Sequence, residues 1–476
     1  MTERIAADIC VIGAGSGGLS VAAGASQLGM KTVLVERGKM GGDCLNYGCV
    51  PSKSLLAAAK RVRAARMAGA FGLSETVAAV DFPAVMRHVH EVIAAIAPQD
   101  SVERFEGLGV RVVKAEARFA GPRAVAAGDC VVAARRIVIA TGSAPSLPPI
   151  PGLTDVKFLT NETVFENQIL PEHLIVIGGG PIGLEMAQAH RLLGARVTVL
   201  EAARVLAKDD PELAALLVER LRGDGVVIEE GVKIRRVEGA AARVAVVVEE
   251  AGGERRIEGS HLLVAAGRRA NLAGLALDQA GIAVNERGAL VLDGRLRTSN
   301  RRVYAVGDAA GGPQFTHVAG YHAGIVIRNA LFRLPAKVDY RALPWVTYTE
   351  PELAQVGMTE AEALAAHKGD VAVLRWPFHE NDRAQAERET HGLVKALTRR
   401  SGEILGASII GPQAGELIQV WGLAISSRLK LGAVRDYMAP YPTLGEVNKR
   451  AAGSFYTPKL FSDRTRRLVR FLARFG

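Results

Sequence analysis

One pattern occurs twice in this chain, and the repetition restricts its fold more than any other feature. Residues 8–36 begin with an apolar strand and the glycine turn Gly13-Ala14-Gly15-Ser16-Gly17-Gly18. A helix of small residues follows, then a second strand at 31–35 that closes on Glu36. Residues 174–201 repeat the order, with the turn Gly178-Gly179-Gly180-Pro181-Ile182-Gly183 and a closing Glu201. First glycine and acid lie 23 residues apart in both copies. A single G-x-G-x-x-G is a weak signal; two, each between a strand and a helix and each ending on an acid, are a strong one. The glycines admit a tight turn and let backbone approach a pyrophosphate. The helix N-terminus offers unpaired N–H groups, and the acid accepts from ribose hydroxyls. The expected fold class is therefore α/β, with two Rossmann-like dinucleotide-binding domains.

Composition removes most other classes. Hydrophobic residues are 49% and charged residues 23%, the ordinary globular mixture. Four cysteines in 476 residues are too few for a disulfide scaffold, so a paired set points to redox or metal chemistry. Net charge is +10, but six Lys or Arg against one acid sit in the last eighteen residues. No basic stripe with interleaved aromatics runs through the body, so nucleic acid is not expected as a partner. Residues 1–7 lead straight into a strand, and no run approaches the ~18 apolar residues of a membrane span. A cytoplasmic location is expected.

After the first unit come helical stretches at 52–68 and 83–106, then β-like segments at 110–119, 123–127 and 130–134, and a strand at 137–140. The second unit has its own β-rich section at 244–257. Beyond about residue 341 no glycine fingerprint occurs. The expected division is one dinucleotide-binding domain at 1–150 and 271–340, with a second at 151–270 inserted into it. A C-terminal domain of mixed α and β structure follows at 341–456, and a basic tail at 457–476.

Cys44 and Cys49 are separated by Leu45-Asn46-Tyr47-Gly48. On a regular helix, residues five apart have Cα atoms about 8–9 Å apart, beyond the ~7 Å limit for a disulfide. A bridge would need a distorted first turn, which Gly48 permits. A thiol at a helix N-terminus has its thiolate favoured. Two buried free thiols, or a metal site short of further ligands, are the other readings. Cys10 and Cys130 lie in apolar strands and read as core fillers.

The segment Gly41-Gly42-Asp43-Cys44-Leu45-Asn46-Tyr47-Gly48-Cys49-Val50-Pro51-Ser52-Lys53 resembles the active-disulfide signature of class I pyridine nucleotide–disulfide oxidoreductases. That family includes dihydrolipoamide dehydrogenase, glutathione reductase and mercuric reductase. Ala140-Thr141-Gly142, Ala266-Gly267-Arg268, Gly307-Asp308 and Tyr348-Thr349-Glu350-Pro351-Glu352 extend the likeness along the chain. The resemblance implies a redox-active Cys44–Cys49 disulfide, with Cys49 facing the flavin and Cys44 meeting the substrate. It implies FAD on Gly13, Gly15, Gly18, Glu36, Ala115, Thr141, Gly142, Gly267 and Asp308, with Lys53 near the flavin and paired with Glu185. The nicotinamide nucleotide would lie on Gly178, Gly180, Gly183 and Glu201. A carboxylate at 201 suits the free 2′-hydroxyl of NAD(H) and repels the 2′-phosphate of NADP(H); Arg204 partly offsets this.

One position departs from much of that family. Where a His followed five residues later by a Glu supplies the general base across the dimer interface, this chain has Tyr441 and Glu446. A phenol titrates near 10 and cannot shuttle a proton at neutral pH as imidazole does. Mercuric reductases resemble this chain in carrying a Tyr there, although the C-terminal cysteine pair of that branch is missing: no Cys follows Cys130. The expected activity is NAD(P)H-dependent reduction of a small-molecule or protein disulfide, or of a thiol-bound metal, by a homodimer. A dihydrolipoamide dehydrogenase and a membrane-associated NADH:quinone oxidoreductase are the alternatives. In the tail, Arg466, Arg470 and Arg474 share one helical face, and Leu468, Phe471, Leu472 and Phe475 another. Such a helix can lie on an anionic membrane or dock on its own protein or its dimer partner.

Overall fold

A computed structural model describes residues 2–74, 79–240 and 243–475. They divide into two compact units.

The first unit (1–178, 192–195 and 234–338) is built on a seven-stranded sheet. Its centre is Glu3–Ile12, paired in parallel with Thr32–Glu36 on one side and Cys130–Ile139 on the other. Val110–Lys114 extends the sheet beyond Thr32–Glu36, and Val303–Ala305 pairs in parallel with Cys130–Ile139. Side chains alternate along a strand, and the alternation divides the core. Ile9, Val11, Leu34 and Val138 face the helices Ser16–Gln27 and Thr316–Ala330. Cys10, Ile12, Val33, Val35 and Ile137 face the other side, with Val125, Ile282 and Leu290. Gly17 brings the two helices together: a Cβ there would lie 3.4 Å from the Cβ of Ala319. The parallel strands end on Ile12, Glu36, Lys114, Ile139 and Ala305, so Gly13, Ala115, Ala140 and Val306 follow directly at their carboxyl ends. In an open parallel sheet, the carboxyl ends are where ligands bind.

This unit also holds His173–Ile177 paired in parallel with His261–Val264. Ile234–Ala240, Arg243–Glu250 and Gly253–Gly259 form an antiparallel sheet.

The second unit (179–191, 196–233 and 339–476) includes the parallel pair Arg196–Leu200 and Val226–Glu229 and the helix Pro211–Gly223. Its five-stranded antiparallel sheet runs Pro344–Thr347, Glu352–Gly357, Ile404–Gly411, Leu393–Thr398 and Ala372–Pro377. Trp421 and Phe378 are fully buried beside it, with Ile409, Val394 and Val447. Trp421 Nε1 donates to Asn448 Oδ1 at 2.8 Å, so the one polar atom of the indole is satisfied.

Three expectations are modified. Residues 110–119 are two strands, Val110–Lys114 and Ala117–Gly121, because the chain turns at Ala115-Glu116. Cys130 is no core filler: it opens its strand half-buried, and its thiol donates to Glu3 Oε2 at 3.3 Å. The tail helix is Asp463–Leu472, and none of its residues is buried, so it does not dock on its own chain. Among the described residues, no helix is long and apolar enough to cross a membrane.

Candidate functional site

The two cysteines belong to different helices rather than to one distorted turn. Gly42–Asn46 carries Cys44 and ends at Tyr47; Gly48, at φ −127° and ψ −107°, breaks the chain; Cys49–Arg66 then begins on Cys49. A Cβ at Gly48 would lie 2.9 Å from Asp43 Oδ2, so the break is crowded as well as bent. Cys49 is thus the first residue of an 18-residue helix, where the helix dipole favours a thiolate.

Both thiols are free; Cys49 is exposed and Cys44 half-buried. Cys44 hydrogen-bonds to Cys49, and that contact is the largest influence on each. It brings the Cys49 thiol down to about 6, with help from Thr316 and the Lys53 charge against burial. Cys44 moves the other way, its thiol raised by the same bond and by burial. Thr316 Oγ1 lies 3.3 Å from Cys49 Sγ, at the start of the helix Thr316–Ala330. Lys53 Nζ donates to Ser52 Oγ at 3.2 Å. Beside Cys49 opens a cleft of about 450 Å³ lined by Val50, Ala57, Val92 and Ile96, with Lys53 and His88 at its polar edge.

Around the first fingerprint the backbone leaves no alternative to glycine at two positions. Gly13 has φ +106°, and a Cβ there would meet Ala140 O at 2.4 Å; one at Gly18 would meet Gly13 O at 1.8 Å. A Cβ at Gly15 would point at Gly42 Cα, 3.8 Å away, next to the cysteine segment. Glu36 accepts from Ala14 N at 2.6 Å and Gly38 N at 2.5 Å. Ala115 N donates to Glu36 O at 3.1 Å. Thr141 Oγ1 is buried without a partner, and Gly142 and Gly267 both take positive φ.

A polar chain that sequence reading missed links this region to the cysteine segment. Ser143 Oγ donates to Asp308 Oδ2 at 2.5 Å, and Arg268 Nε donates to Ser143 Oγ at 2.8 Å. Arg268 Nη2 lies 3.1 Å from Asp43 Oδ1, which also accepts from Asn161 Nδ2 at 3.0 Å. Burial raises the Asp308 carboxyl, against the pull of Ser143 and Arg268. Asp43 and Arg268 sit inside recognisable motifs; Asn161 carries no signal in the sequence.

The second fingerprint repeats the first in its hydrogen bonds. Glu201 accepts from Gly179 N at 2.7 Å and from Ala203 N at 2.9 Å, as Glu36 does at the equivalent positions. Gly178 has φ +115°, with Ala265 O 2.4 Å from where a Cβ would lie, whereas Gly180 faces open space. Gly183 lies in the helix Pro181–Leu193. Arg204 Nη2 donates to Ala207 O.

Glu185, Tyr441 and Glu446 belong to the second unit, and Lys53 and the cysteines to the first. Glu185 is buried and accepts from Tyr348 N at 2.9 Å. Tyr441 is exposed, and its hydroxyl donates to Asp382 Oδ2 at 2.9 Å. That carboxylate raises the phenol above its ordinary value, with a smaller push from Glu446. Glu446 opens the helix Glu446–Ser454. Among the described residues, no cluster of three His, Cys, Asp or Glu side chains is placed to hold a metal ion.

Comparison with known proteins decides the family. Residues 7–323 match the model of pyridine nucleotide-disulphide oxidoreductases, and residues 343–452 match the dimerisation domain of the same proteins. The chain belongs to this family. It is accordingly a flavin-dependent oxidoreductase acting on sulfur groups with a pyridine nucleotide, and a homodimer through its dimerisation domain. A mercuric reductase of Streptomyces lividans is 38% identical over 459 residues, covering 94% of this chain and 96% of the relative. A dihydrolipoyl dehydrogenase of Geobacillus stearothermophilus is 35% identical over 456 residues, covering 94% and 96%. Among solved structures, the Cu(II) complex of the HOCl-induced flavoprotein disulfide reductase RclA from Escherichia coli superposes with TM-score 0.85. It shares 28% identity and covers 95% of this chain and all of that one.

The site fits FAD. The crowding at Gly13 and Gly18 keeps the turn bare of side chains, the helix Ser16–Gln27 starts there, and the unpaired Thr141 hydroxyl sits beside it.

Proposed function

We propose that this enzyme is a pyridine nucleotide-dependent reductase whose redox pair is Cys44 and Cys49, with a core like that of mercuric reductases. Its substrate is a disulfide or a thiol-bound soft metal ion. The observation that carries the reading is the opposite displacement of the two thiols: Cys49 falls to about 6 while Cys44 rises. Cys49 is then thiolate at neutral pH, and Cys44 holds the shared proton.

In disulfide reduction, Cys44 sulfur attacks one substrate sulfur as its proton passes to Cys49 along their hydrogen bond. The first thiol departs with that proton, leaving a mixed disulfide on Cys44. The Cys49 thiolate then attacks Cys44 sulfur, expelling the second thiol, which takes a proton from water, and closing the Cys44–Cys49 disulfide. FAD, when bound, supplies the two-electron link by which the nicotinamide nucleotide reduces that disulfide again. Gly13, Gly15, Gly18 and Glu36 would hold its dinucleotide half. Ala115, Thr141, Gly142, Gly267 and Asp308 would line the rest, with Lys53 near the ring. Gly178, Gly180, Gly183 and Glu201 would hold the nucleotide. We read residues 1–150 and 271–340 as the FAD domain, 151–270 as the nucleotide domain and 341–456 as the dimerisation domain.

Glu201 supports NADH over NADPH, since a carboxylate opposes a 2′-phosphate, and Arg204 is turned to Ala207 O. Tyr441, a phenol whose hydroxyl donates to Asp382, is protonated at neutral pH and can donate or ligate but not act as base. That favours an acceptor needing no general base, such as a soft metal ion on thiolates, over lipoamide. The retained Glu446 and the dihydrolipoyl dehydrogenase relatives support the second reading, a dihydrolipoamide dehydrogenase.

NADH oxidation by the FAD-loaded dimer would be measured with a mercuric bis-thiolate, lipoamide, glutathione disulfide and a soluble quinone. The expected result is turnover fastest with the mercuric complex and abolished by Cys44→Ser. Quinone reduction in both proteins, with no sulfur or metal turnover in either, would overturn the reading.

A further inference from the structure

The tail helix Asp463–Leu472 lies beyond the family's dimerisation domain, which ends at residue 452. It is a finished helix. Ser462 caps it, accepting from Thr465 N at 3.3 Å, and Thr465 Oγ1 ties back to Lys459 O at 2.8 Å. Asp463 in its first turn and Arg470 in its last complement the dipole. At 100° per residue, Leu468, Val469, Phe471 and Leu472 fall in one arc, which Phe475 extends beyond the last turn and Arg464 also enters, and Arg466, Arg467 and Arg470 fall in the opposite one. The apolar arc is bare: each of its five side chains is more than half exposed. Leu460 and Phe461, at 59% and 61%, continue the exposure into the preceding turn. Phe471 and Phe475 pack edge-to-face on each other, centroids 5.2 Å apart, and so form one apolar surface.

Whatever covers this helix must offer hydrocarbon to one side and negative charge to the other. A second copy of the chain brings the same basic tail on a body that is itself net positive, and so complements the arginine arc less well than an anionic surface. A nucleic acid supplies the charge but no hydrocarbon for the leucines. An anionic phospholipid surface supplies both: apolar side chains sink into the acyl boundary while arginines meet phosphates. We propose that the tail helix docks the enzyme peripherally on an anionic phospholipid bilayer.

The test is co-sedimentation of the full-length, FAD-loaded dimer with vesicles of phosphatidylcholine alone or mixed with phosphatidylglycerol. The expected result is binding to the mixed vesicles only, weakened at high salt because the arginine contribution is screened. The double change Phe471→Glu and Leu472→Glu removes two of the five apolar side chains and puts charge in the middle of the face. It should weaken binding by at least on the order of 100-fold while leaving NADH oxidation unchanged. Charge reversal at Arg466, Arg470 and Arg474 should do the same on the order of 100-fold. No binding to phosphatidylglycerol vesicles, or equal binding by the variants, overturns the proposal. A double variant that becomes monomeric by light scattering also overturns it, because the partner subunit would then be what covers the face. Loss of sulfur or metal turnover without loss of sedimentation would instead count against the catalytic reading alone.

Discussion

Removing the Cys44 thiol should move the titration of Cys49 in a direction and amount that its neighbours set. With the Cys49 thiol at about 6, about 90% is thiolate at pH 7, against about 3% for an ordinary thiol near 8.5. The gain in reactivity is smaller than this ratio, because nucleophilicity falls with basicity at a Brønsted slope of about 0.4–0.5. The 30-fold gain in population therefore shrinks to about 2- to 3-fold in alkylation rate at pH 7. The midpoint of the pH profile, not the rate, is the diagnostic. A hydrogen bond to a charged group is worth about 1.5–3 kcal/mol, or about 1–2 pK units. Cys44→Ala deletes the largest of the forces lowering Cys49 and should raise the midpoint by that much. Cys44→Ser keeps a donor and should restore most of the shift. The assay is iodoacetamide labelling of Cys49 in the chemically reduced holoenzyme, followed by mass spectrometry from about pH 4 to 10. The flavin is common to all three proteins and cancels in the comparison. A wild-type midpoint near 8.5, or equal midpoints for Ala and Ser, would show that the Cys44 hydrogen bond does not set the Cys49 titration.

Three further outcomes follow from other contacts. Tyr441→His restores a group that titrates near neutrality and should raise lipoamide or glutathione disulfide turnover by up to about 100-fold, with little change for a mercuric thiolate; steady-state kinetics would check it. Lys395 is buried among Asp210, Glu212 and Glu360, at 2.8, 2.9 and 2.6 Å. Lys395→Met strands those carboxylates and should cost about 3–5 kcal/mol in denaturant unfolding. Asp209 is buried, its carboxyl raised to about 6 by desolvation despite the Trp345 Nε1 hydrogen bond at 2.8 Å. Its folded pKa exceeds the unfolded one, so its contribution is fully present below about pH 4 and lost as pH rises through about 6. Asp209→Asn keeps an acceptor for Trp345 and should stabilise by about 1–3 kcal/mol at pH 8 and by nothing at pH 4, read as a change in the pH slope of Tm.

The parts of the fold that a linear reading reached are those dictated by backbone geometry. Gly13 and Gly178 sit at positive φ against carbonyl oxygens, so their spacing to Glu36 and Glu201 carries architecture directly. The cysteine segment was legible for a similar reason: both thiols, the breaking glycine and the helix start lie within six residues. Interactions assembled from distant segments left no period to read. Thr316 reaches Cys49 across 267 residues, and Ser143 reaches Asp308 across 165. Asp382, which accepts from the Tyr441 hydroxyl, is 59 residues away from it. Cys130 misled because an apolar strand reads as core throughout, although its first residue lies at the solvent end of the sheet, beside Glu3.

On the proposed mechanism, reducing equivalents from NADH come to rest on Cys44 and Cys49. The most direct measurement is an anaerobic titration of the air-oxidised, FAD-loaded dimer with NADH, counting thiols after denaturation. The chain has four cysteines, Cys10, Cys44, Cys49 and Cys130. Two thiols per chain are expected before NADH and four after, with no gain in Cys44→Ser. A count that stays at two while NADH is consumed would contradict that mechanism.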